Sequence, residues 1–440
     1  QHFFFFMMAS TKMLTFRKKQ HLFFLLCVWC LVVDWSKAET EESEGGPMEK
    51  TEQAALYSTI QGFVGDSWNG SYLYPDPCGW TPIQGVTCDM YDDLWYVTAL
   101  SLGTMRDNSL ACAETPVIRP ELFELKHLKS LSLFNCFTLP NRYLASISDE
   151  KWLDLSKNLE TLEIRSNPGL IGELPSAITN LINLQSLVVL ENQLTGSLPE
   201  NLAKLTRLRR LVLSGNRFTG RIPEVYRLTG LLILDLSRNF LSGSLPLSVG
   251  GLSSLLKLDL SNNYLEGKLP KEIQSLKNLT LLDLRNNRFS GGLTRELQEM
   301  SSLVELVLSN NHLAGDLTGI EWRRLKNLVV LDLSNTGLKG EIPRSILELK
   351  KLRFLGLSNN NLRGKLIRQM ETEMPCLNAL YVNGNNISGE LEFSRMFYER
   401  MGRRLGVWGN PNLCYHGDEI KNQRDHVPFG VNQCKAVTLA

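Results

Sequence analysis

The 440-residue sequence has no excess of charge of either sign. Its 47 lysine and arginine residues nearly balance 46 aspartate and glutamate residues, and the formal net charge is +1. Binding to nucleic acid needs a concentrated basic surface, because the protein must neutralise a dense row of phosphates. Basic clusters such as Arg207, Arg209 and Arg210 are short, and we expect them to be solvated surface. We therefore expect no nucleic acid as partner.

Residues that carry enzymatic chemistry are few and scattered. The sequence has six histidines, of which His127, His312, His416 and His426 lie beyond residue 38. It contains no glycine-rich phosphate-binding loop, no pair of histidines at metal-ligand spacing and no nucleophile elbow. This composition predicts a protein that is not an enzyme and that uses no cofactor and no metal.

Long apolar runs are missing apart from one near the N terminus. Basic residues at 17–19 precede an apolar stretch over residues 22–33, and Ser36 and Ala38 then supply the small side chains that signal peptidase recognises. The stretch is shorter than the roughly 20 apolar residues that cross a bilayer. The pattern predicts a leader and signal peptide over residues 1–38, and therefore a secreted protein.

Secretion makes the cysteines candidates for disulfide bonds, since the extracellular compartment oxidises thiols. Six of the nine cysteines fall into three neighbouring pairs near the two ends of the chain beyond the leader. We expect disulfides from Cys78 to Cys88, from Cys112 to Cys136 and from Cys414 to Cys434. The alternative for the last pair is a zinc site completed by His416 and His426, although the spacing matches no standard zinc motif.

Glycosylation sequons and one unpaired cysteine are two further features that bear on an extracellular location. Asn-x-Ser/Thr sequons predict N-glycosylation at Asn69, Asn278 and Asn386. Cys376 has no neighbouring cysteine and stands just before a predicted strand. We expect it to be a small buried apolar residue, with an intermolecular disulfide as the alternative.

A leucine-rich pattern recurs from residue 128 onward. The template L-x-x-L-x-L-x-x-N is matched, for example, by Leu208, Leu211, Leu213 and Asn216. Its last position recurs every 23 to 25 residues, at Asn167, Asn192, Asn216, Asn239, Asn263, Asn287, Asn311, Thr336, Asn360 and Asn385. Cys136 takes that position in the first repeat, and a degenerate last turn ends at Asn410. The spacing predicts about eleven repeats and a remnant over residues 128–410.

The repeat spacing predicts an α/β solenoid. Each L-x-L core is a short strand whose alternate side chains point inward, and stacked turns must share one core because a single turn cannot bury its own apolar face. The inward asparagine is polar, so we expect its amide to bond the backbone of adjacent turns and form a ladder. Thr336 has no amide group, and we expect a local weakness there.

Both ends of a solenoid expose the core unless they are capped. Leu56, Ile60 and Phe63 have the spacing of one helix face, and Thr51 is the expected N-cap of that helix. The predicted division of the chain is a leader at 1–38, an N-terminal capping domain with a helix and disulfides at 39–127, repeats at 128–410, and a C-terminal cap and tail at 411–440.

Several motifs resemble one plant family. The segments are Leu-Tyr-Pro-Asp-Pro-Cys-Gly-Trp at 73–80, Phe-Asn-Cys-Phe at 134–137, Arg-Ser-Asn-Pro-Gly at 165–169 and the stretch 393–402. Together with the G-x-[I/L]-P that follows most repeat asparagines, they resemble the extracellular part of plant leucine-rich-repeat receptor-like proteins, near the branch called Piriformospora indica-insensitive. The resemblance implies plant-type repeats of about 24 residues, a right-handed superhelix with a concave parallel β-sheet, and disulfide-capped ends.

The resemblance also implies a role. Receptor-like proteins act in plant signalling at the cell surface, and the named branch responds to a root-colonising fungus. The implied partners are a protein or peptide ligand and a membrane receptor kinase. The implied location is the extracellular face of the plasma membrane or the cell wall. Membrane association is then expected to be indirect, or to use a C-terminal anchor that this sequence does not contain. The alternative is a secreted inhibitor of microbial cell-wall-degrading enzymes, similar to polygalacturonase-inhibiting proteins.

Side chains between the inward leucines face outward and form the candidate binding face. Asp235, Asp259, Asp283 and Asp332 belong to the usual L-D-L-S repeat, and we interpret them as scaffold. Departures from that repeat are the candidates: Glu163, Arg165, Val188, Leu190, Glu191, Arg210, Val212, Arg285, Phe354 and Tyr381. Outward apolar and aromatic residues on one face mark interaction sites, while neutral variation of a tolerant surface is the alternative explanation.

Overall fold

A computed structural model describes residues 47–104, 110–139, 142–143, 149–415 and 429–434. The predicted leader, His416 and His426 lie outside the described residues. The described residues belong to the unit that begins at Pro47.

Short strands and short helices alternate along this unit. The α-helices are α1 Lys50–Val64, α2 Gly70–Leu73, α3 Asp149–Asp154, α4 Met370–Glu373 and α5 Arg395–Met401. The first strands are β1 Val86–Tyr91, β2 Leu94–Gly103, β3 Ser130–Phe134, β4 Arg142–Tyr143, β5 Thr161–Arg165, β6 Leu170–Glu173, β7 Ser186–Leu190, β8 Gln193–Thr195, β9 Arg210–Val212, β10 Ile233–Asp235, β11 Ser242–Gly243, β12 Lys257–Asp259 and β13 Tyr264–Lys268. The remaining strands are β14 Leu281–Asp283, β15 Arg288–Ser290, β16 Glu305–Val307, β17 Val330–Asp332, β18 Lys339–Glu341, β19 Phe354–Gly356, β20 Asn361–Gly364, β21 Ala379–Tyr381, β22 Asn386–Leu391, β23 Leu405–Gly406, β24 Asn412–Tyr415 and β25 Asn432–Gln433.

One strand from each turn joins a single 14-stranded sheet, in the order β1-β2-β3-β5-β7-β9-β10-β12-β14-β16-β17-β19-β21-β23. The pairs are parallel from β2 onward, and only β1 runs antiparallel to its neighbour β2. Equivalent leucines of successive repeats stand side by side, as Leu258 does beside Leu282, and both are fully buried. The predicted solenoid with a large parallel sheet is confirmed, and the core lies along one side of that sheet.

The segment after each repeat asparagine returns the chain along the other side of the core. Smaller parallel sheets lie there, such as the one formed by β11, β13 and β15. A 3₁₀ helix follows in many turns, and in several of them proline is its N-cap: Pro246 precedes Leu247–Gly251, and Pro270 precedes Lys271–Ser275. Proline suits this place because its fixed φ matches the observed −67° and −68°.

The inward asparagines form the expected ladder. Asn263, nearly fully buried, donates to the carbonyls of Leu236 in the preceding turn (3.0 Å) and Leu260 in its own turn (3.1 Å), and it accepts from the Leu241 N–H (3.0 Å). These bonds fasten one turn to the one before it, because the amide supplies both donors and an acceptor.

Thr336 interrupts the ladder, as its side chain predicts. Its hydroxyl has a single proton, which it donates to the Leu333 carbonyl of its own turn (2.7 Å), while Asn360 Oδ1 of the next turn lies 3.2 Å from the same hydroxyl oxygen. Among the described residues it forms no side-chain bond to the preceding turn. The side-chain amide bonds by which Asn263 fastens its turn to the preceding one are therefore missing at Thr336.

Helix α1 begins earlier than expected, because Glu49 and not Thr51 is its N-cap. The Glu49 carboxylate accepts from the Glu52 N–H (2.7 Å), while Thr51 lies in the first turn and its hydroxyl donates to Glu49. A carboxylate at this position satisfies a free backbone N–H and opposes the positive end of the helix. The predicted apolar face is present, since Leu56, Ile60 and Phe63 are fully buried.

Disulfides lie near both ends of the repeat array. They join Cys78 to Cys88, Cys112 to Cys136, and Cys414 to Cys434. The last bond uses the two cysteines of the alternative zinc site. Among the described residues, no helix has the length and apolar character needed to cross a membrane.

Candidate binding face of the long sheet

The outward face of the 14-stranded sheet is built from the residues that flank the inward leucines. Strand register places equivalent residues of successive repeats in rows across the sheet. We call one of these the central row; it contains Ser132, Glu163, Val188, Val212, Asp235, Asp259, Asp283, Val307, Asp332, Gly356, Tyr381 and Gly406. Residues about 24 positions apart in the sequence thus become direct neighbours about 4.8 Å apart.

An ion-pair network occupies the N-terminal part of this face. Glu163 on β5 pairs with Arg165 on the same strand (2.7 Å) and with Arg210 on β9 (3.7 Å). Glu191 follows β7 and pairs with Arg238 (3.2 Å). These charged candidates therefore neutralise one another within the protein and stay partly exposed.

Two apolar candidates of the same region are not available to a partner. Val188 is fully buried and Val212 is 6% exposed, which contradicts their prediction as surface residues. The physical reason is the Arg210–Glu163 pair, because it links β9 to β5 and so crosses β7, where Val188 lies in register between Glu163 and Val212. Leu190, at the end of β7, remains half-buried and keeps some outward surface.

Aspartates fill the middle of the central row, and two of them act as scaffold. Asp235 accepts from the N–H (3.2 Å) and hydroxyl (2.7 Å) of Ser237, and so closes the turn that follows its strand. Asp259 makes the same two bonds to Ser261, at 3.1 and 2.8 Å. Lys257 lies between the two carboxylates, 3.0 Å from Asp235 and 3.4 Å from Asp259.

Asp283 is the most buried aspartate of the central row. Desolvation raises the pKa of its carboxyl to about 6, and the neighbouring Asp259 adds to the rise. Arg285, one of the predicted candidates, stands where other repeats have serine. Its N–H donates to Asp283 (3.1 Å), and its Nε lies 3.3 Å from the same carboxylate. The Arg285 side chain is therefore paired with Asp283 of the same protein, while half of it stays exposed to solvent.

Aromatic rings occupy the C-terminal part of the face. Phe354 on β19 and Tyr381 on β21 are half-buried, with ring centroids 5.7 Å apart and planes at 42°. A Cβ atom at Gly406 would stand 2.6 Å from Tyr381 Cδ1 and 3.1 Å from Trp408 Cζ3, so both rings lie over this glycine. The structure brings the two predicted aromatics together and adds Trp408, which the repeat pattern did not single out.

Sequence reasoning also missed a second, outer row of amides. Asn286 donates to Asn262 (2.7 Å), Asn310 donates to Asn286 (2.7 Å), and Asn335 donates to Asn310 (2.9 Å). These residues precede the inward position and have φ between 53° and 58°. Left-handed φ at consecutive repeats favours asparagine, so the N-N pairs of the sequence were the available signal.

The remaining predicted sites lie away from the sheet face. Asn69, Asn278 and Asn386 are all exposed, as attachment of a glycan requires, and glycosylation there stays a prediction. Cys376 is exposed and not buried, because Leu377 takes the inward position and leaves Cys376 in the turn after α4. The described residues contain no group of three or more His, Cys, Asp or Glu side chains arranged to hold a metal ion.

Comparison with a protein-family model identifies the repeats. The Leucine Rich Repeat model matches residues 207–227, 230–252, 254–276, 278–300 and 327–349. All five segments lie within the stacked turns of the long sheet, and each contains one of its strands. The central part of the chain therefore consists of leucine-rich repeats.

Curated relatives are plant proteins. The chain is 65% identical over 159 residues to Piriformospora indica-insensitive protein 2 of Arabidopsis thaliana, a match that covers 36% of this chain and 37% of that protein. It is 32% identical over 157 residues to Receptor like protein 29 of the same species, covering 35% of this chain and 32% of the relative. The chain thus spans about a third of the length of the curated relatives that it matches. The predicted resemblance to plant receptor-like proteins is confirmed.

Solved structures with a similar fold include plant receptors. One is described as the plant peptide hormone receptor RGFR1 in complex with RGF2, with a TM-score of 0.60, 29% identity, and coverage of 68% of this chain and 46% of that chain. Another is PEPR1-AtPEP1, with a TM-score of 0.66, 28% identity, and coverage of 84% and 52%.

Proposed function

We propose that this chain is an extracellular, non-enzymatic receptor-like protein of plants, which binds a peptide or protein ligand on the outward face of its long sheet. We further propose that it passes the signal to a membrane receptor kinase, in the response to a root-colonising fungus. The fungal part is supported by the name of the relative that is 65% identical over the matched region.

One observation carries the proposal: the departures from the repeat collect on a single ordered face. Glu163, Arg165 and Arg210 form a charged network at one end, while Phe354 and Tyr381 form an aromatic cluster at the other. The core and the returning turns lie behind the sheet, so these partly exposed side chains are on the side that a partner can approach. Aromatic and arginine side chains are the residues that most often anchor protein interfaces.

The solved structures support the same kind of ligand. One structure of similar fold is described as a plant peptide hormone receptor in complex with RGF2. A parallel sheet of this length offers an extended ligand many rows of side chains at once, and a few well-packed anchors among them supply most of the binding energy. The absence of enzymatic activity in this proposal rests on the sequence, whose few histidines are scattered.

The test is recovery of partners from plant membranes by the tagged full chain, with and without fungal extract. We expect membrane receptor kinases to be recovered. The variant Tyr381→Ala should lower this recovery several-fold, because it removes an anchor from the face. The matched control is Tyr264→Ala, which removes an exposed tyrosine on β13, away from the long sheet.

Two results would contradict the proposal. Equal losses for Tyr381→Ala and Tyr264→Ala would mean that the sheet face is not the binding surface. Inhibition of a purified fungal polygalacturonase by the same preparation, without recovery of any kinase, would replace the receptor role with that of an enzyme inhibitor.

A further inference from the structure

Three groups of different chemistry meet above Gly356, at the point where the aspartates of the central row give way to aromatic residues. A Cβ atom added to Gly356 would stand 2.5 Å from Asp332 Oδ1, 2.9 Å from Phe354 Cε1 and 3.0 Å from Ser334 Oγ. A side chain at position 356 would push these groups aside, so glycine leaves the space in which they meet. A carboxylate, a ring edge and a hydroxyl thus lie close to one another, and we call this set, with Tyr381, the Asp332 cluster.

The carboxylate of this cluster differs from the other aspartates of its row. Asp235 and Asp259 share Lys257, and Asp283 has Arg285. Asp332 accepts a backbone bond from Ser334 (3.1 Å), but within the part of the chain that the structure describes it forms no ion pair. It is only partly buried, so its charge remains available to a cation from outside the chain.

The neighbouring side chains make the surroundings acidic and aromatic. Glu305 lies in the same row as Phe354, two strands away through Val330, and likewise has no ion-pair partner among the described residues. On the other side, Tyr381 is in register with Gly356. Phe354 therefore lies beside the Asp332 carboxylate, Tyr381 stands one strand beyond Gly356, and Glu305 adds a second carboxylate on the neighbouring strand β16. Carboxylates beside aromatic rings stabilise a positive charge with N–H donors.

We propose that the Asp332 cluster binds the guanidinium group of an arginine side chain in the peptide ligand. A guanidinium is planar, so it can pair with the carboxylate through two N–H groups and also stack against a ring such as Phe354. A lysine ammonium can make the charge contact but cannot stack in the same way. This inference rests on the proposed function, and it adds the chemistry that the ligand must carry.

The probe is the peptide acetyl-Gly-Arg-Gly-amide, and its neutral counterpart contains citrulline in place of arginine. Binding of each to the full chain is followed by ligand-observed NMR at low ionic strength. We expect the arginine peptide to bind about tenfold more tightly than the citrulline peptide, since only the former carries the charge. A lysine peptide should fall between the two.

Single substitutions test whether the arginine peptide binds at the Asp332 cluster. Asp332→Asn keeps the shape of the side chain and should weaken the arginine peptide about tenfold. Phe354→Leu should weaken it about threefold, because the cation–ring contact is lost. The matched control is Asp235→Asn, whose carboxylate already pairs with Lys257 and should leave binding unchanged. Far-UV circular dichroism and the melting temperature confirm that each variant is folded.

Equal binding of the arginine and citrulline peptides, or equal effects of Asp332→Asn and Asp235→Asn, would overturn the inference. So would the lack of any binding by the wild-type chain. Recovery of a receptor kinase in the membrane experiment is measured separately. If the kinase is recovered while the peptides fail, the receptor role stands and only the arginine site is rejected.

Discussion

Replacing one inward asparagine should destabilise the whole array of turns. Asn263→Ala removes a buried side chain that serves the Leu241 N–H and the carbonyls of Leu236 and Leu260. Each buried backbone group left without a partner costs about 1–3 kcal/mol. The Leu260 carbonyl belongs to the same turn and can adjust, so we count chiefly the two groups of the preceding turn. The expected loss is about 4 kcal/mol of unfolding free energy.

The neighbouring asparagine provides the matched control. Asn262 is only partly buried and has φ 58°, and among the described residues its side chain bonds to Ser261 Oγ (3.2 Å) and the Asn286 amide (2.7 Å). In Asn262→Gly, glycine adopts the same φ without strain, and water replaces the lost bonds. We expect a change below about 1 kcal/mol.

Urea unfolding of the oxidised protein, followed by circular dichroism, compares the two variants. Repeat arrays can lose cooperativity when one joint is weakened, so a broadened transition for Asn263→Ala would also agree with the reasoning. A cost for Asn263→Ala no greater than that for Asn262→Gly would refute it, because the buried ladder would then contribute no more than the exposed one.

Two further changes test other features of the fold. Thr336→Asn restores an amide at the interrupted joint and should raise the unfolding free energy by about 1 kcal/mol, measured as a higher urea midpoint. An unchanged midpoint would mean that the joint has relaxed around threonine. Burial raises the pKa of the Glu52 carboxyl from 4.5 to about 7, so the folded protein binds the carboxyl proton more tightly than the unfolded chain does. The unfolding free energy of the wild-type protein therefore falls as the pH rises from about 4.5 through 7. Glu52→Gln should remove that fall, giving a gain of about 3 kcal/mol at pH 8 and almost none at pH 4 in thermal unfolding; the same pH profile in both proteins would contradict this.

Much of the fold was predictable because its inward positions obey a strict period. A residue such as Leu258 meets the equivalent leucine of the next repeat, so one rule describes every turn. The asparagine ladder followed from the same period, since a buried amide must find backbone partners. The exception at Thr336 was predictable too, because a hydroxyl offers fewer bonds than an amide.

The outward face was harder to predict because burial there depends on side chains from distant repeats. Val188 has the outward register of a surface residue, yet it is covered because Arg210 reaches across its strand to Glu163. Cys376 was expected to be buried from its place beside a strand, but the turn gives the inward position to Leu377. The outcome at Val188 depends on side chains of two other repeats, whereas the outcome at Cys376 depends on the next residue of its own repeat.

The same dependence on neighbours explains why the two ends of the face should have different roles. At the N-terminal end, Glu163 and Glu191 already form ion pairs with arginines of the protein. A charged group of the ligand would have to break such a pair, and the free energy lost would be close to the free energy gained from the new pair. At the C-terminal end Asp332 forms no such pair among the described residues. Gly356 leaves room for Phe354 beside the Asp332 carboxylate, and Gly406 leaves room for the rings of Tyr381 and Trp408. A cationic partner therefore gains a new interaction only there, and we expect discrimination between ligands to reside at the aromatic end while the charged end mainly fixes the geometry of the sheet.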